Sequence, residues 1–252
     1  MSDWFGRRPA RYARVRPAYP DALFDALAAV APRTGRAWDA ATGSGQAAVP
    51  LAARFAAVHA SDAFPGPLRV APAVRNITWA LEPAERVSLP DASVDVITVA
   101  AGLHWFDIPA FLQEVERVWS PGGVLAVWTY GIQPDAPALQ DVFAGYRRDV
   151  LGDDWSPALE HVATGYAGVA LPGRPVEMPA FAATTDLDYE GTLDLLRTWS
   201  ASEAYWRRTG QDPAQHVARR LASVWHAHVG RLDATWTLRW PLALRVHRRA
   251  TT

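Results

Sequence analysis

A glycine turn and two carboxylates set the first chemical constraint in this sequence. Asp39-Ala40-Ala41-Thr42-Gly43-Ser44-Gly45 joins an apolar run to an alanine-rich stretch of helical character. In such a place backbone approaches a ligand closely and the first turn of a helix offers free N–H groups. The turn suits a cofactor, although two glycines also make an ordinary tight turn. The G-x-G-x-x-G fingerprint of dinucleotide enzymes is not matched, because position 48 is Ala. Asp62 follows Asp39 by 23 positions, at the end of the next apolar run. A carboxylate there accepts both hydroxyls of a ribose. Ser61 and Asp62 are equally the residue types that cap a helix.

His104-Trp105-Phe106 follows the most β-branched run of the chain, Val94 to Ala100. Histidine gives or takes a proton near neutrality without special tuning, so His104 is a candidate base. Its alternative role is to cap the next helix, with the two aromatics in the core. Tyr12 and Arg16 lie a helical turn apart and suit a flap that closes over a ligand, Arg16 holding a carboxylate. Arg7, Arg8, Arg11 and Arg14 crowd the same stretch, so solvated surface is the competing reading. Trp128, Tyr130 and Trp155 are candidates for a substrate pocket, although most large aromatics serve packing. His226 and His228 have no third ligand at a convincing spacing, and no metal site is expected.

Composition narrows the classes. The 252 residues are 50% hydrophobic and 20% charged, enough for one large core or one domain with a cap. A formal net charge of -1 offers no field to gather phosphates, so nucleic acid is not an expected partner. There is no cysteine, which excludes a thiolate nucleophile and a zinc-cysteine site. All 25 basic residues are arginine, so a Schiff base is impossible. No run approaches the roughly 20 apolar residues that span a bilayer, and no signal peptide is visible. These features predict a soluble, cytoplasmic protein, monomer or homodimer, that meets a small molecule and no membrane.

The elements that must position these residues follow from periodicity. Leu23, Leu27 and Val30 mark a short helix that stops at Pro32 and Gly35. Arg36 to Ala41 reads as a strand, and the helix after the glycine turn tolerates Pro50 in its first turns. Runs at 55–60, 77–81 and 94–100 read as strands, the last as the sheet centre. Ile108 to Trp119 is helical, and SPGG turns the chain into a strand at 124–129. Alternation of this kind favours parallel βαβ units. The pattern loosens over 131–179, which reads as an inserted cap. Residues 181–188 make a sixth strand, 192–225 are mostly helical, and 235–248 make a final edge strand where Pro241 is tolerable. The expectation is a single domain with a Rossmann-like α/β fold. Its seven-stranded sheet is mostly parallel with an antiparallel edge strand, with helices on both faces. Residues 1–130 form the cofactor-binding core, 131–180 the cap, and 181–252 the part that completes the sheet.

Five motifs in this order resemble those of the S-adenosylmethionine (SAM)-dependent methyltransferases of the small-molecule, type 11 branch that includes trans-aconitate methyltransferases. Tyr12-Ala-Arg-Val-Arg16-Pro17-Ala-Tyr19-Pro20 is similar to that family's Y-x-x-x-R-P-x-Y-P start. WDAATGSGQAA resembles its SAM turn, and ALEPAERVSLPDASVDVITVA its acid loop and fourth strand. AGLHWFD and ERVWSPGGVLAVW are similar to its following helix and P-G-G turn. The resemblance covers residues 5–130, and more faintly TWSASEAYWRRTGQDP and WPLALRV.

It implies that Asp39, Gly43 and Gly45 hold the methionine part of SAM, Asp62 the ribose, and Ala84 with Glu85 the adenine edge, with Ala41 and Ala63 also at the cofactor. Ala100 contributes a backbone group near the sulfonium, and Tyr12 and Arg16 close over the cofactor. Trp105 or Phe106 suits a cation on its aromatic face. Ala41 stands where the family has the first glycine of its turn, and Pro83 where it often has an acid. The implied reaction is O-methylation of a small acid or hydroxylated metabolite. Tyr12, Arg16 and His104 are nearest the chemistry, and Tyr19, Trp105, Trp128, Tyr130 and Trp155 are around the acceptor. The alternatives are a SAM-binding protein without catalysis and an NAD(P)-dependent oxidoreductase.

Overall fold

Apolar runs separated by glycine, proline and polar turns place five parallel strands side by side, in the order Ile77–Leu81, Ala57–Asp62, Arg36–Ala40, Val94–Ala100 and Trp119–Tyr130. The computed structural model describes residues 14–251. Helix α1 (Asp21–Val30) leads to β1 (Arg36–Ala40), α2 (Ala48–Ala52), β2 (Ala57–Asp62), the single turn α3 (Pro65–Leu68) and β3 (Ile77–Leu81). Then come β4 (Val94–Ala100), α4 (Ile108–Val118) and β5 (Trp119–Tyr130). In β4 every residue but the last is buried, as its continuous β-branched sequence requires of a central strand. Helix α4 starts where the Asp107 carboxylate accepts the Ala110 N–H at 3.1 Å, with Pro109 in the first turn. That cap fixes the loop carrying His104 at the carboxyl ends of the strands.

Strand β5 begins earlier than the SPGG sequence predicts. Trp119 already pairs with Val94, and the register slips between Val94 and Val96. Gly122 takes φ +73° there, so the glycines form an irregularity within the strand instead of a turn before it.

The second half adds α5 (Pro137–Gly145), α6 (Glu160–Ala163), β6 (Arg174–Pro175), β7 (Ala182–Leu187), α7 (Tyr189–Arg197), α8 (Ser200–Thr209), α9 (Gln215–Val229) and β8 (Trp236–Arg248). Strand β8 is not the edge strand expected. Its second half runs antiparallel to β5, its first half pairs with β7, and β6 joins its end. A strand of 13 residues is long enough for each half to find its own partner. Pro241, which has no N–H, sits where pairing passes from β7 to β5, and Leu242 donates to the Phe181 carbonyl at 2.9 Å.

Packing also crosses the boundary expected at residue 180. Leu139, Val142, Phe143 and Tyr146 share one buried cluster with Leu193, Leu196, Trp199, Leu221 and Trp225. The layer over the strand ends is therefore built from both sides of β7.

Candidate active site

The strand β1 ends in a turn whose backbone is held in the left-handed region three times, at Ala41 (φ +54°), Gly43 (+59°) and Gly45 (+93°). Ala41 is the costly one, because only glycine enters that region without steric penalty. A Cβ added at Gly43 would meet nothing within 4 Å, whereas one at Gly45 would lie 2.5 Å from the Trp79 ring. Gly45→Ala is therefore expected to destabilise the fold by about 1–3 kcal/mol, through positive-φ strain and an overpacked ring. Chemical denaturation of the variant checks this, and an unchanged midpoint would contradict it.

Asp39 lies behind this turn. Its carboxylate accepts the hydroxyls of Thr42 at 2.6 Å and Thr98 at 2.7 Å, and only 1% of the residue is exposed. Burial pushes its pKa up to about 6 against those two hydrogen bonds, with the charge of Asp62 adding to the rise. Asp62 accepts the Gly43 N–H and the Phe64 N–H, each at 2.9 Å, so the end of β2 buttresses the glycine turn. Burial raises its pKa too, opposed by those two backbone donors.

A cavity of about 500 Å³ opens over these strand ends. One end is walled by Ala41 to Ser44, Asp62 to Pro67, Ala84 with Glu85, and Ala100 with Ala101. Asp39 and Gly45, expected to touch a ligand, are buried and do not line the cavity; Asp39 reaches it through Thr42, and Gly45 lies against the Trp79 ring. The Ser44 hydroxyl is buried at the wall and has no hydrogen-bond partner among the described residues, a position that asks for a ligand's polar atom. The Glu85 carboxylate accepts the Asp107 N–H at 2.9 Å, which ties the 84–85 loop to the start of α4.

The other end is aromatic. Trp105, Phe106, Tyr130, Trp155 and Trp199 line it with Tyr19, Ile132, Leu159 and Val162, and its polar groups are Arg16, His104, Thr129, Tyr130 and Ser200. The Arg16 guanidinium donates to the Tyr130 hydroxyl and to the Thr198 carbonyl, both at 3.0 Å, joining the first described residues to β5 and to the end of α7. Tyr12 lies outside the described residues. Trp128 is a correction: it is fully buried, 5.4 Å edge-on from Tyr19, and belongs to the core beneath the cavity. On a strand buried on both faces its neighbours Thr129 and Tyr130 look no different in sequence. The sequence reading missed Trp199, Ser200 and the Phe64 to Pro67 wall. Trp199 and Ser200 fall in the faintly matching TWSASEAYW segment, which was the one available signal.

His104 sits in a short 3-10 turn, Leu103–Trp105, with Nδ1 3.0 Å from the Tyr166 hydroxyl. Burial, with the positive fields of His161 and Arg16, lowers its pKa to about 4. The imidazole is thus neutral at physiological pH. Its pKa when unfolded is near 6.5, so between those values the unfolded chain binds the extra proton. Stability gained above pH 6.5 is expected to be lost as pH falls through about 4, and His104→Gln should flatten that part of the profile. Thermal melts from about pH 4 to 7 measure it. A variant curve parallel to the wild type would contradict the shift.

Residues 38–127 match the methyltransferase domain family. The solved structure named as a type II methyltransferase of Anaeromyxobacter dehalogenans is 38% identical, with TM-score 0.83, covering 94% of this chain and 99% of that one. This chain belongs to the SAM-dependent methyltransferases. A protein of Dictyostelium discoideum named as a methyltransferase is 27% identical over 225 residues, which cover 88% of this chain and 86% of that one. An uncharacterized methyltransferase of Mycobacterium bovis is 35% identical over 167 residues, 64% of each chain. The methyltransferase uses SAM, and the oxidoreductase and non-catalytic alternatives give way to that assignment. The left-handed turn, the Asp62 carboxylate and the orphaned Ser44 hydroxyl fit such a cofactor. No helix among the described residues is long and apolar enough to cross a membrane.

Proposed function

We propose that this methyltransferase moves the methyl group to an oxygen of a small molecule, a carboxylate or a hydroxyl. The observation that carries the reading is the chamber beside the glycine turn. Its walls include Trp105, Trp155 and Trp199, and its polar groups there include the Arg16 guanidinium, the neutral His104 imidazole and the hydroxyls of Thr129, Tyr130 and Ser200. At about 500 Å³ for cofactor and acceptor together, the space lies in the small-molecule range of roughly 300–1,000 Å³.

In this proposal Asp62 with Ala63 holds the ribose, Ala84 and Glu85 border the adenine, and Gly43 and Ala41 present backbone to the methionine part. Ala100 lies beside the sulfonium. SAM brings its own activated methyl group, so the chain supplies alignment and a dry chamber. Arg16 holds an anionic oxygen by charge, Tyr130 and Thr129 offer hydroxyls, and His104 receives the proton when the acceptor is a hydroxyl. A carboxylate needs no base. The aromatic walls exclude water, and Trp105 faces the region where positive charge sits.

The test is S-adenosylhomocysteine (SAH) release over a panel of small carboxylic acids, phenols, aliphatic alcohols and amines. Release with oxygen acceptors is expected. Release with amines alone would remove the oxygen assignment.

A further inference from the structure

A buried tyrosine outside every motif is joined to the candidate base. Tyr166 is fully buried, yet its backbone takes φ +60°, a region unfavourable for an aromatic residue. The turn that imposes this is held on several sides. Gly165 before it is also left-handed, at φ +59°, and a Cβ there would lie 2.7 Å from the Ala243 side chain on β8. The Tyr166 N–H donates to the His161 carbonyl at 2.8 Å. The Arg245 guanidinium, also from β8, donates to the carbonyls of Tyr166 and Val169. The strained turn is therefore fixed to the sheet, and the tyrosine hydroxyl goes where the turn sends it.

It goes to His104. The hydroxyl is 3.0 Å from Nδ1, and the two rings lie near parallel, 20° apart with centroids at 6.2 Å. With Nδ1 engaged, the other ring nitrogen of a cavity-lining histidine is the one left for an acceptor.

We propose that Tyr166 is a positioning residue: its hydroxyl oxygen accepts the Nδ1–H of His104, which holds the ring in the Nδ1–H tautomer and leaves Nε2 bare to take the proton of the methyl acceptor. The inference rests on the reading that His104 faces the acceptor. A histidine whose partner is fixed in this way holds one tautomer. The Arg16 guanidinium near the ring disfavours its protonated form, as burial does, and His161 acts in the same direction.

The experiment is nitrogen NMR of the full chain labelled with 15N at histidine, saturated with SAH. The His104 signals are assigned by their absence in His104→Gln. The Nδ1–H tautomer alone is expected in the wild type from about pH 5 to 8, with the two ring nitrogens far apart in shift and Nε2 the one without hydrogen. In Tyr166→Phe, which keeps the ring, the two shifts should converge while SAH affinity stays within about twofold. On a confirmed hydroxyl acceptor, where the base is needed, the same variant should lose about tenfold in kcat without a higher KM for SAM. It should lose nothing further in the His104→Gln background.

Averaged tautomers in the wild type, or a locked Nε2–H tautomer, would overturn the proposal, and that measurement needs no variant to fold. Unchanged shifts in Tyr166→Phe would overturn it as well. If His104→Gln keeps full activity on a hydroxyl acceptor while the tautomer is locked, the acceptor-facing reading fails and the positioning contact stands.

Discussion

Replacing Asp62 by Ala is expected to weaken SAH binding by about 3 kcal/mol, on the order of 100-fold, at the upper end for one lost charged group. The size follows from its double use. In the proposed site the carboxylate accepts ribose hydroxyls from a buried position, and it also accepts the N–H groups of Gly43 and Phe64. Its loss leaves two backbone donors without partners and loosens a turn that already holds Ala41 at positive φ. Asp62→Asn keeps one oxygen and should lose less. Isothermal titration with SAH measures both, beside circular dichroism to confirm folding. An unchanged dissociation constant in a folded Asp62→Ala protein would remove the ribose assignment.

The second large effect is expected at the other end of the cavity. Arg16→Ala should lose at least about 100-fold in kcat/KM, because its guanidinium bonds both Tyr130 and the Thr198 carbonyl while lining the acceptor chamber. Arg16→Lys should not restore activity, since an ammonium lacks the planar fork that reaches both partners. His104→Gln then reads the acceptor class. With a carboxylate acceptor it costs little in kcat. With a hydroxyl acceptor it costs about 10²-fold, the lower end of the usual range for general bases, because a group of such low pKa is a weak base.

An ordinary histidine would place the acid limb of the rate profile near 6.5, but burial, His161 and Arg16 move it to about 4. A flat profile from about pH 6 to 9 is therefore expected for either class. The variants, not the profile, distinguish them. Full activity in both would move the catalytic centre elsewhere.

How much of this was legible in the sequence depends on what each residue's type can encode. Val94 to Ala100 announced a central strand because a run buried on both faces must be apolar throughout. The same property hid which face each residue takes in β5, so Trp128 in the core and Tyr130 at the cavity looked alike. Asp39 was recognisable by its place before the glycine turn. That Thr42 and Thr98 would enclose its carboxylate depends on β4 lying alongside, which no local pattern records.

Strand β8 was visible from its alternation, whereas its three partners are a matter of long-range pairing. Helices α7 to α9 could be read as helical, but not that Trp199 and Ser200, where α7 gives way to α8, would close the acceptor chamber. Tyr166 gave no sign at all, since a left-handed non-glycine residue is imposed by its surroundings and carries no sequence signature.

The central claim, methyl transfer from SAM to oxygen on a small molecule, is tested most directly by following the label. The full chain is incubated with SAM carrying a 13C-methyl group and a bacterial extract separated into metabolite, protein and nucleic-acid fractions. The label is predicted to move into the metabolite fraction as an O-methyl ester or ether, in an amount matching the SAH released. Label in protein or nucleic acid, or on nitrogen or carbon alone, would contradict the account.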